Sequence, residues 1–273
     1  MSDHRGRPVR APFFWNEMTT FDFEGLSPED AVAILPLAST EQHGPHLPLA
    51  TDAAIAAGML QELRAGLPEH LRVLVLPVQE IGKANEHKYG LGTLSLPAGL
   101  LIEAWTAVGE KVAETGLRKI VLVNSHGGNV DLMNIVAREL RVRHGMVAVT
   151  TQWSRFGTPD GLYDARENTF GIHGGDVETS LMLHFRPDLV RMEKARDFGS
   201  ASEKMAKEYR HIRPAGLHGL AWIARDLNPL GVVGDASKAT AEKGAATAHH
   251  QVAGFIELLE DVVRFPLARL YAE

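Results

Sequence analysis

The chain has 273 residues, of which 45% are hydrophobic and 23% charged, a composition typical of globular proteins with a large core. Its formal net charge of -6 argues against a nucleic-acid or membrane-surface protein, and no apolar run approaches the length of a transmembrane helix. The absence of cysteine excludes disulfides and thiolate zinc sites and fits a reducing compartment, so we expect a cytoplasmic protein.

Two parts of the chain differ in their sequence. Residues 1–12 carry three arginines without a following apolar segment of signal-peptide length, and we predict a mobile tail there. The remainder has neither an internal repeat nor a Ser/Gly-rich linker. Residues 13–273 are therefore expected to form one domain.

Short apolar runs alternate with amphipathic helical patterns over the first half of the chain. We predict that the runs are buried strands, because each is short and is followed by turn residues. Strands that alternate with helices indicate βαβ units, so we predict an α/β fold with a largely parallel sheet and helices on both faces. The predicted strands are Val32–Leu37, Val73–Pro77, Lys119–Val123 and Met146–Trp153.

The second half of the chain mixes breaker residues with helical stripes. Residues 154–171 are predicted to be a loop, because glycine and proline interrupt any pattern there. A helix is predicted to begin near Val177 and to end before Pro187. A polar, irregular segment follows, partly helical around Ser202–Tyr209, and a turn at Gly231–Ala236 precedes a long C-terminal helix.

A polar stretch directly follows the first predicted strand. Residues two apart at the end of an extended strand point the same way, so Glu41 and His43 should face one side together. Thr51 is a plausible N-cap of the next helix, which places Asp52 in its first turn. Two carboxylates and an imidazole at the carboxyl end of a strand suit zinc or manganese. The alternative is a polar loop with one buried, hydrogen-bonded histidine, because short motifs have many false positives.

Two further polar clusters fall in loops at a strand end or a helix start. His126 lies in Asn-Ser-His-Gly-Gly-Asn (124–129), and His173 precedes Glu178 by five residues. Loops of this kind converge on one edge of a doubly wound sheet. The glycines after His126 permit close approach of the backbone to a bound group, although this histidine would alternatively cap the following helix. Together with the first stretch, the clusters favour metal ligation.

Three residues have two interpretations at this stage. Glu86 and His87, in the loop after the second predicted strand, either contact a substrate or are polar residues of the surface. Trp153 ends the fourth predicted strand and fits a ligand contact as well as the core. The sequence leaves both alternatives open.

Five motifs together resemble the creatininase, or creatinine amidohydrolase, family. The resemblance extends from about Phe13 to the C-terminal helix, and the first motif is highly specific. The motifs are Ser-Thr-Glu-Gln-His-Gly-Pro-His-Leu-Pro-Leu-Ala-Thr-Asp (39–52), Gly-Thr-Leu-Ser-Leu (92–96), Asn-Ser-His-Gly-Gly-Asn (124–129), His-Gly-Gly-Asp-Val-Glu-Thr-Ser (173–180) and Gly-Asp-Ala-Ser-Lys-Ala-Thr-Ala-Glu-Lys-Gly (234–244).

The resemblance implies a fold, a cofactor and an assembly. The family has a three-layer α/β/α fold, a site for two divalent ions, usually zinc or manganese and in some cases iron, and often forms hexamers. Its members include creatininase, a formamide hydrolase and a peptidase. We therefore expect two divalent metal ions per chain and a homo-oligomer.

The same resemblance assigns roles to the metal-binding motifs. It makes Glu41 and His43 ligands of separate metals and Asp52 the ligand that bridges them. It makes His126 a ligand of the first metal. Creatininase proper has a further glutamate ligand where this chain has Gly128, and Glu178 is expected to replace it, as in relatives with a His-Gly-Gly-Asn turn.

Other matches concern catalysis and substrate. His173 matches the histidine proposed as general acid and base in the family. Creatininase proper has an aromatic residue where this chain has Gly127, and a tryptophan where this chain has about Thr169, with Phe170 beside it. Those aromatic residues help to enclose creatinine. Their absence makes creatinine a disfavoured substrate and places the chain in the His-Gly-Gly-Asn branch of the family.

These observations predict a two-metal amidohydrolase. A metal-bound hydroxide would attack the carbonyl of a small-molecule cyclic amide, linear amide or formamide, so that a non-peptide C–N bond is cleaved. His173 would carry a proton to the leaving nitrogen. The alternatives are a metallopeptidase acting on a small peptide and a non-catalytic binding protein that keeps the metal as a structural staple.

Overall fold

A computed structural model describes residues 13–29 and 31–271 of the chain. The tail predicted at residues 1–12 lies outside the described residues. Its extent, and the single domain predicted for residues 13–273, therefore remain predictions.

The centre of the fold is a parallel sheet of four strands. The strands lie in the order β2-β1-β3-β4, and each neighbouring pair is parallel. Each strand corresponds to one of the predicted apolar runs, with bounds that differ by one or two residues. The bounds are Ala31–Leu37 for β1, Arg72–Val75 for β2, Lys119–Asn124 for β3 and Val147–Gln152 for β4.

Helices cover both faces of this sheet. Their bounds are Thr51–Gly66 for α1, Ala98–Glu114 for α2, Val130–His144 for α3, Ala165–Phe170 for α4, Asp176–Phe185 for α5, Ala201–Glu208 for α6, Ala224–Leu227 for α7 and Ala241–Arg264 for α8. Helices α2 and α3 pack on one face, and α1, α5 and α8 contribute to the core on the other. The predicted α/β fold with three α/β/α layers is therefore confirmed.

Strand β1 is buried on both faces, as expected for a central strand of a parallel sheet. Its side chains alternate between the two cores: Val32 and Ile34 join one, and Ala33 and Leu35 the other. A polar residue within this strand would therefore be buried whichever way it pointed. The polar residues of the first motif accordingly begin just after the carboxyl end of β1.

The carboxyl ends of three strands lie level with one another. Leu37 of β1 pairs with Asn124 of β3, which in turn pairs with Gln152 of β4. The loops that follow these strands consequently leave the sheet side by side. This alignment places the segments that begin at Ala38 and Ser125 at one edge of the fold.

Two local predictions in the second half of the chain were wrong. The loop predicted at residues 154–171 contains α4, because the breaker residues stop at Gly161 and the Asp164 side chain caps the helix by accepting a hydrogen bond from Glu167 N at 2.8 Å. The turn predicted at Gly231–Ala236 contains β6 (Gly234–Asp235), which pairs antiparallel with β5 (Asp197–Phe198).

Among the described residues, no helix combines the length and the apolar character that crossing a bilayer requires.

Candidate metal centre

The first part of the centre is the turn after β1. Glu41 is fully buried, and its backbone N–H donates to Leu49 O at 2.9 Å, which closes the turn. Gly44 has a φ of +70°, a conformation that favours glycine, and a Cβ there would lie 2.8 Å from Val232. The turn thus fixes the direction of the Glu41 and His43 side chains, and its backbone conformation at Gly44 is unfavourable for any other residue.

Asp52 is presented by the first turn of α1 and is 2% exposed. The prediction that Thr51 is the N-cap was wrong. Ala50 occupies the cap position, and Thr51 is already helical, with its Oγ1 donating to Pro48 O at 2.7 Å. Asp52 still lies at the helix N-terminus, where the helix dipole stabilises a carboxylate.

One group of possible ligands consists of Glu41, Asp52 and His126. His126 Nδ1 lies 3.0 Å from Glu41 Oε2 and 3.3 Å from Asp52 Oδ2. All three side chains are buried. They come from the ends of β1 and β3 and from the start of α1, so the aligned strand ends bring them together.

A second group consists of His43, Asp52 and Glu178. His43 Nε2 lies 3.4 Å from Asp52 Oδ1 and 3.7 Å from Glu178 Oε2. The side chain of Glu178 is 25% exposed, and its Oε2 accepts a hydrogen bond from Gly174 N at 2.7 Å. The two oxygens of Asp52 thus face different groups, one towards His126 and one towards His43.

Backbone carbonyls hold both histidine rings. His43 Nδ1 donates to Glu41 O at 3.1 Å, and His126 Nε2 donates to Lys83 O at 2.9 Å. In each ring the opposite nitrogen is the one that faces the carboxylates of its ligand group. Outer hydrogen bonds of this kind fix the tautomer and orientation of metal-binding histidines.

The inner polar atoms of this cluster lack hydrogen-bond partners among the described residues. They are Glu41 Oε1, Glu41 Oε2, His43 Nε2 and Asp52 Oδ2. Leaving buried polar atoms unpaired is costly, and buried charges in proteins are normally paired or coordinate a metal. Nitrogen and oxygen donors directed at a common space fit zinc or manganese.

The ionisation of the cluster shows how its negative charge is balanced by protons. Burial by itself would lower the pKa of His43, but the carboxylates of Asp52, Glu178 and Glu41, with Asp52 contributing most, together raise this pKa to about 9. Burial would also lower the pKa of His126, yet the carboxylates of Glu41, Asp52 and Glu86 together hold it well above its ordinary value. Burial raises the pKa of Glu41. Without a metal ion, the imidazole rings of His43 and His126 are therefore positively charged at neutral pH.

His173 lies beside the two groups. Its Nε2 donates to Gln42 O at 2.9 Å, and its Nδ1 lies 3.7 Å from Glu41 Oε1. The ring lies between those of His43 and His87, with both centroid distances 4.2 Å. Burial and the positive charge of His43 lower the pKa of His173 to about 4. With Glu41 and His43 it forms a third possible ligand group.

The structure therefore brings together all six residues predicted for the site. They are Glu41, His43, Asp52, His126, His173 and Glu178. Their division between metal ligands and proton carrier remains a prediction, because His173 lies close enough to the others to belong to either class.

The sequence left open whether Glu86 and His87 are surface residues, and the structure places both beside the site. His87 is 3% exposed, so it is not a surface residue: its Nε2 lies 3.3 Å from Glu41 Oε1, and its Nδ1 accepts from Gln42 Nε2 at 2.8 Å. Glu86 Oε1 lies 3.4 Å from His126 Nε2. The only sequence signal was the presence of an acid and a histidine in a loop at a strand end.

The centre opens into a cavity of about 550 Å³. Trp222 forms part of its wall and is held by a hydrogen bond from its Nε1 to Pro214 O at 2.9 Å. Glu41, Asp52 and His126 lie at the wall of the same cavity, so the carboxylates can be approached from this side.

The chain is similar to known proteins over most of its length. A family model described as "Creatininase: Creatinine amidohydrolase" matches residues 16–259. The chain is 32% identical over 235 residues to the mycofactocin precursor peptide peptidase of Mycobacterium ulcerans, which covers 84% of this chain and 82% of that protein. It is 30% identical over 206 residues to the creatinine amidohydrolase of Pseudomonas putida, which covers 69% of this chain and 78% of that protein.

Solved structures share the fold. A candidate creatinine amidohydrolase from Bacteroides fragilis has a TM-score of 0.74 at 21% identity and covers 95% of this chain and 99% of its own. A structure described as creatininase Mn has a TM-score of 0.68 at 23% identity, with 92% and 99% covered. A creatininase variant of Zn–Zn type has a TM-score of 0.70 at 24% identity, with 92% and 98% covered.

Proposed function

The chain belongs to the creatininase family, and on that premise we propose that it is a two-metal amidohydrolase. Its reaction would be hydrolysis of the C–N bond of a cyclic amide, a linear amide or a formamide. The proposal draws its support from the geometry of one cluster and from the chemistry of its donors.

The observation that carries the proposal is the position of Asp52. It belongs to both the group with Glu41 and His126 and the group with His43 and Glu178. Its Oδ2 lies 3.3 Å from His126 Nδ1, while its Oδ1 lies 3.4 Å from His43 Nε2. A carboxylate shared in this way suits two neighbouring ions better than one.

Zinc and manganese are the metals that we propose. The five proposed ligands offer carboxylate oxygens and imidazole nitrogens, which suit both ions, and the chain has no thiolate that would select one of them. The related creatininase structures described with Mn and as Zn–Zn type support the same pair of metals. Bound ions would polarise an amide carbonyl and make water more acidic.

The proposed role of His173 follows from the hydrogen bond of its ring. Because Nε2 donates to Gln42 O, the neutral ring leaves Nδ1 without a proton and facing the site. Nδ1 can then accept a proton from water and pass it to the leaving nitrogen. Gln42 O keeps the ring in this orientation, and its neighbours His43 and His87 limit the ring's sideways movement.

A peptidase is the second candidate, and two observations favour it. The similar protein of Mycobacterium ulcerans is named a precursor peptide peptidase. The cavity of about 550 Å³ beside the cluster is also large enough for a drug-sized ligand, well beyond the needs of a small cyclic amide. The bond cleaved would then be an amide bond within a peptide.

Elemental analysis combined with a substrate screen tests the proposal. Protein purified without chelator should contain about two divalent ions per chain, the number that a two-metal site holds. It should hydrolyse a compound from a panel of cyclic amides, linear amides, formamides and short peptides, and chelation should abolish the activity. Protein that stays folded and active without metal would overturn the proposal, whereas metal without hydrolysis would favour a structural staple.

The proposed homo-oligomer, with a hexamer as the particular form, rests on the family resemblance. Sedimentation velocity of the purified chain tests it directly, since a monomer would rule it out.

A further inference from the structure

A second chamber adjoins the cavity of the metal centre. Its volume is about 540 Å³, close to that of the first cavity, and the two share part of their walls. The shared residues are Ser125, Gly127, Ile172 and Glu178. Glu178, one of the proposed ligands, therefore lies where the two spaces meet.

The junction is widened by a glycine. A Cβ at Gly127 would meet no atom within 4 Å, and the residue is absent from the glycines with positive φ. Neither crowding nor backbone conformation requires glycine at this position. The missing side chain instead leaves open space between the metal centre and the second chamber.

The wall of this chamber carries polar atoms without partners. Ser125 Oγ, Trp153 Nε1 and Gln251 Oε1 are buried and make no hydrogen bond among the described residues. Trp153 and Gln251 are 3% and 2% exposed. Residues that carry an unpaired hydroxyl, N–H donor and carbonyl acceptor thus line one chamber, and buried polar groups normally have partners.

Apolar side chains form another part of the same wall. Ile55, Val177 and Leu181 contribute to it from α1 and α5. A ligand that pairs with the polar residues and packs on the apolar ones therefore needs hydrogen-bonding groups on one side and an apolar group on the other. A peptide backbone with an apolar side chain has this combination.

The charge of the chamber narrows the ligand further. Its charged lining residues are Glu167 and Glu178, with no lysine or arginine among the described residues that form the wall. Glu167 is already engaged, because its carboxylate accepts backbone N–H groups of Asp176 at 2.7 Å and Asp235 at 2.9 Å. An acidic segment would be repelled here. A basic segment would find Glu167 and Glu178 already accepting backbone hydrogen bonds, so an uncharged segment fits the chamber best.

We propose that the second chamber is a substrate subsite that holds an uncharged peptide segment with an apolar side chain while the adjoining amide bond lies at the metal centre. This inference rests on the proposed hydrolysis of an amide bond. It selects an extended peptide, in preference to a small cyclic amide, as the substrate class. Trp153 Nε1 donates to a peptide carbonyl, and Gln251 Oε1 accepts from a peptide N–H.

Tryptophan fluorescence provides a test, because Trp153 lies in the second chamber and Trp222 in the first. Zinc-reconstituted protein is titrated with an equimolar mixture of capped, uncharged hexapeptides and, separately, with capped single amino acids. The variants Trp153→Phe and Trp222→Phe form a matched pair that assigns each fluorescence change to one chamber. We expect the hexapeptide signal to contain a component that disappears in Trp153→Phe, and the single amino acids to lack it.

A second variant tests the hydrogen bond of Gln251. Gln251→Leu should raise the half-saturating concentration of the hexapeptides about 2- to 10-fold, the usual effect of one lost hydrogen bond. Gln79→Leu is the matched control, since Gln79 lies outside both chambers and its side chain bonds, among the described residues, only to Pro77 O. Thermal unfolding of both variants separates loss of binding from loss of folding.

The outcomes distinguish this inference from the proposed function, because hydrolysis is followed in the same samples. Hexapeptides that alter only the Trp222 component, or no component, overturn the subsite even if amide hydrolysis is observed. A Trp153 component without hydrolysis of any probe supports the subsite and contradicts the proposed function. Equal binding by Gln251→Leu and Gln79→Leu removes Gln251 from the subsite.

Discussion

A side chain at Gly128 would collide with Glu86, because a Cβ on this glycine would lie against Glu86 Oε1 as well as against the backbone oxygen of Lys83. The glycine thus makes room for a carboxylate that arrives from the loop after β2. Glu86 Oε1 lies 3.4 Å from His126 Nε2, on the side of the ring opposite the other carboxylates. Glu86 therefore lies beside the nitrogen that donates to Lys83 O, and we expect it to act with that carbonyl as an outer partner of His126.

We expect Glu86→Gln to weaken metal binding at the His126 side of the centre about 10- to 100-fold, as is usual when an outer partner of a metal-binding histidine is lost. The amide keeps the shape of the side chain but removes its charge. Competition with a zinc chelator of known affinity measures the effect. Glu80→Gln is the control, because Glu80 is an exposed residue in the same loop; equal affinities of the two variants would contradict the role.

Asp52→Ala should be more harmful than His43→Ala. Asp52 belongs to both proposed metal groups, whereas His43 belongs to one of them and otherwise forms a group only with Glu41 and the proposed proton carrier His173. Removal of a bridging ligand should leave fewer than one tightly held ion per chain, and removal of His43 should leave about one. Elemental analysis after gel filtration measures this difference. Retention of two ions by Asp52→Ala would exclude a bridging role.

Glu178→Gln should weaken one ion and spare the other. Glu178 approaches His43 at 3.7 Å but belongs to no group with His126, so its charge acts on one side of the centre. Metal titration should change from two similar steps to one tight and one weak step. Two unchanged steps would show that Glu178 only accepts the hydrogen bond from Gly174.

His173→Ala should retain both ions and the fold while hydrolysis falls by about 10²- to 10⁴-fold, the usual contribution of a general acid and base. The prediction depends on Nδ1 acting as a proton carrier. Metal content, far-UV circular dichroism and turnover of the substrate found in the screen are measured together. Loss of an ion would instead make His173 a ligand, in agreement with its proximity to Glu41 and His43.

The metal-free protein should lose stability as the pH rises from about 6.5 to 9. The folded-state pKa of His43, about 9, lies above its ordinary value. Protonated His43 therefore adds to the free energy of unfolding at pH values below the ordinary pKa, and this stabilisation is lost as the pH rises through about 9. The loss is at most roughly 3 kcal/mol for a shift of this size. His173 does not offset it, because its pKa of about 4 confines its effect to lower pH.

Urea denaturation with and without zinc measures this prediction. In the zinc-loaded protein the trend should reverse, because a metal binds the deprotonated imidazole and the competition from protons declines as the pH rises. The difference in unfolding free energy between the two forms should therefore widen towards pH 9. A metal-free protein that becomes more stable over this range would contradict the electrostatic account.

The sequence was a good guide to the elements whose signal is local. The four strands of the central sheet were found within one or two residues, since apolar runs such as Val32–Leu37 must be buried wherever they lie. Glu41, His43 and His126 were found because they directly follow strands, and parallel strands end at a common edge. His173 and Glu178 were noticed as a polar cluster at a helix start, and the family resemblance added the roles expected of them, a proton carrier and a metal ligand.

What could not be predicted depends on distant parts of the chain. The burial of His87 results from its contacts with Gln42 and Glu41, which lie more than 40 residues earlier. The short helix α4 was missed because glycine and proline directly before it led to the prediction of a loop. The second chamber is formed by residues as far apart as Ile55 and Gln251, so its shape is a property of the packed fold rather than of any segment.

Val232 fills the space beside both turns that follow the site histidines His43 and His173. Gly44 and Gly174 each have a φ of +70°, and a Cβ at either would lie 2.8 Å from Val232, while Val233 N donates to His173 O at 2.8 Å. The consequence concerns the order of biosynthesis. All the proposed ligands lie at or before residue 178 in the chain. Val232, which packs against the two turns, is synthesised more than 50 residues later. The centre is thus completed only after Val232 has been synthesised, so we expect metal acquisition to follow the synthesis of this segment.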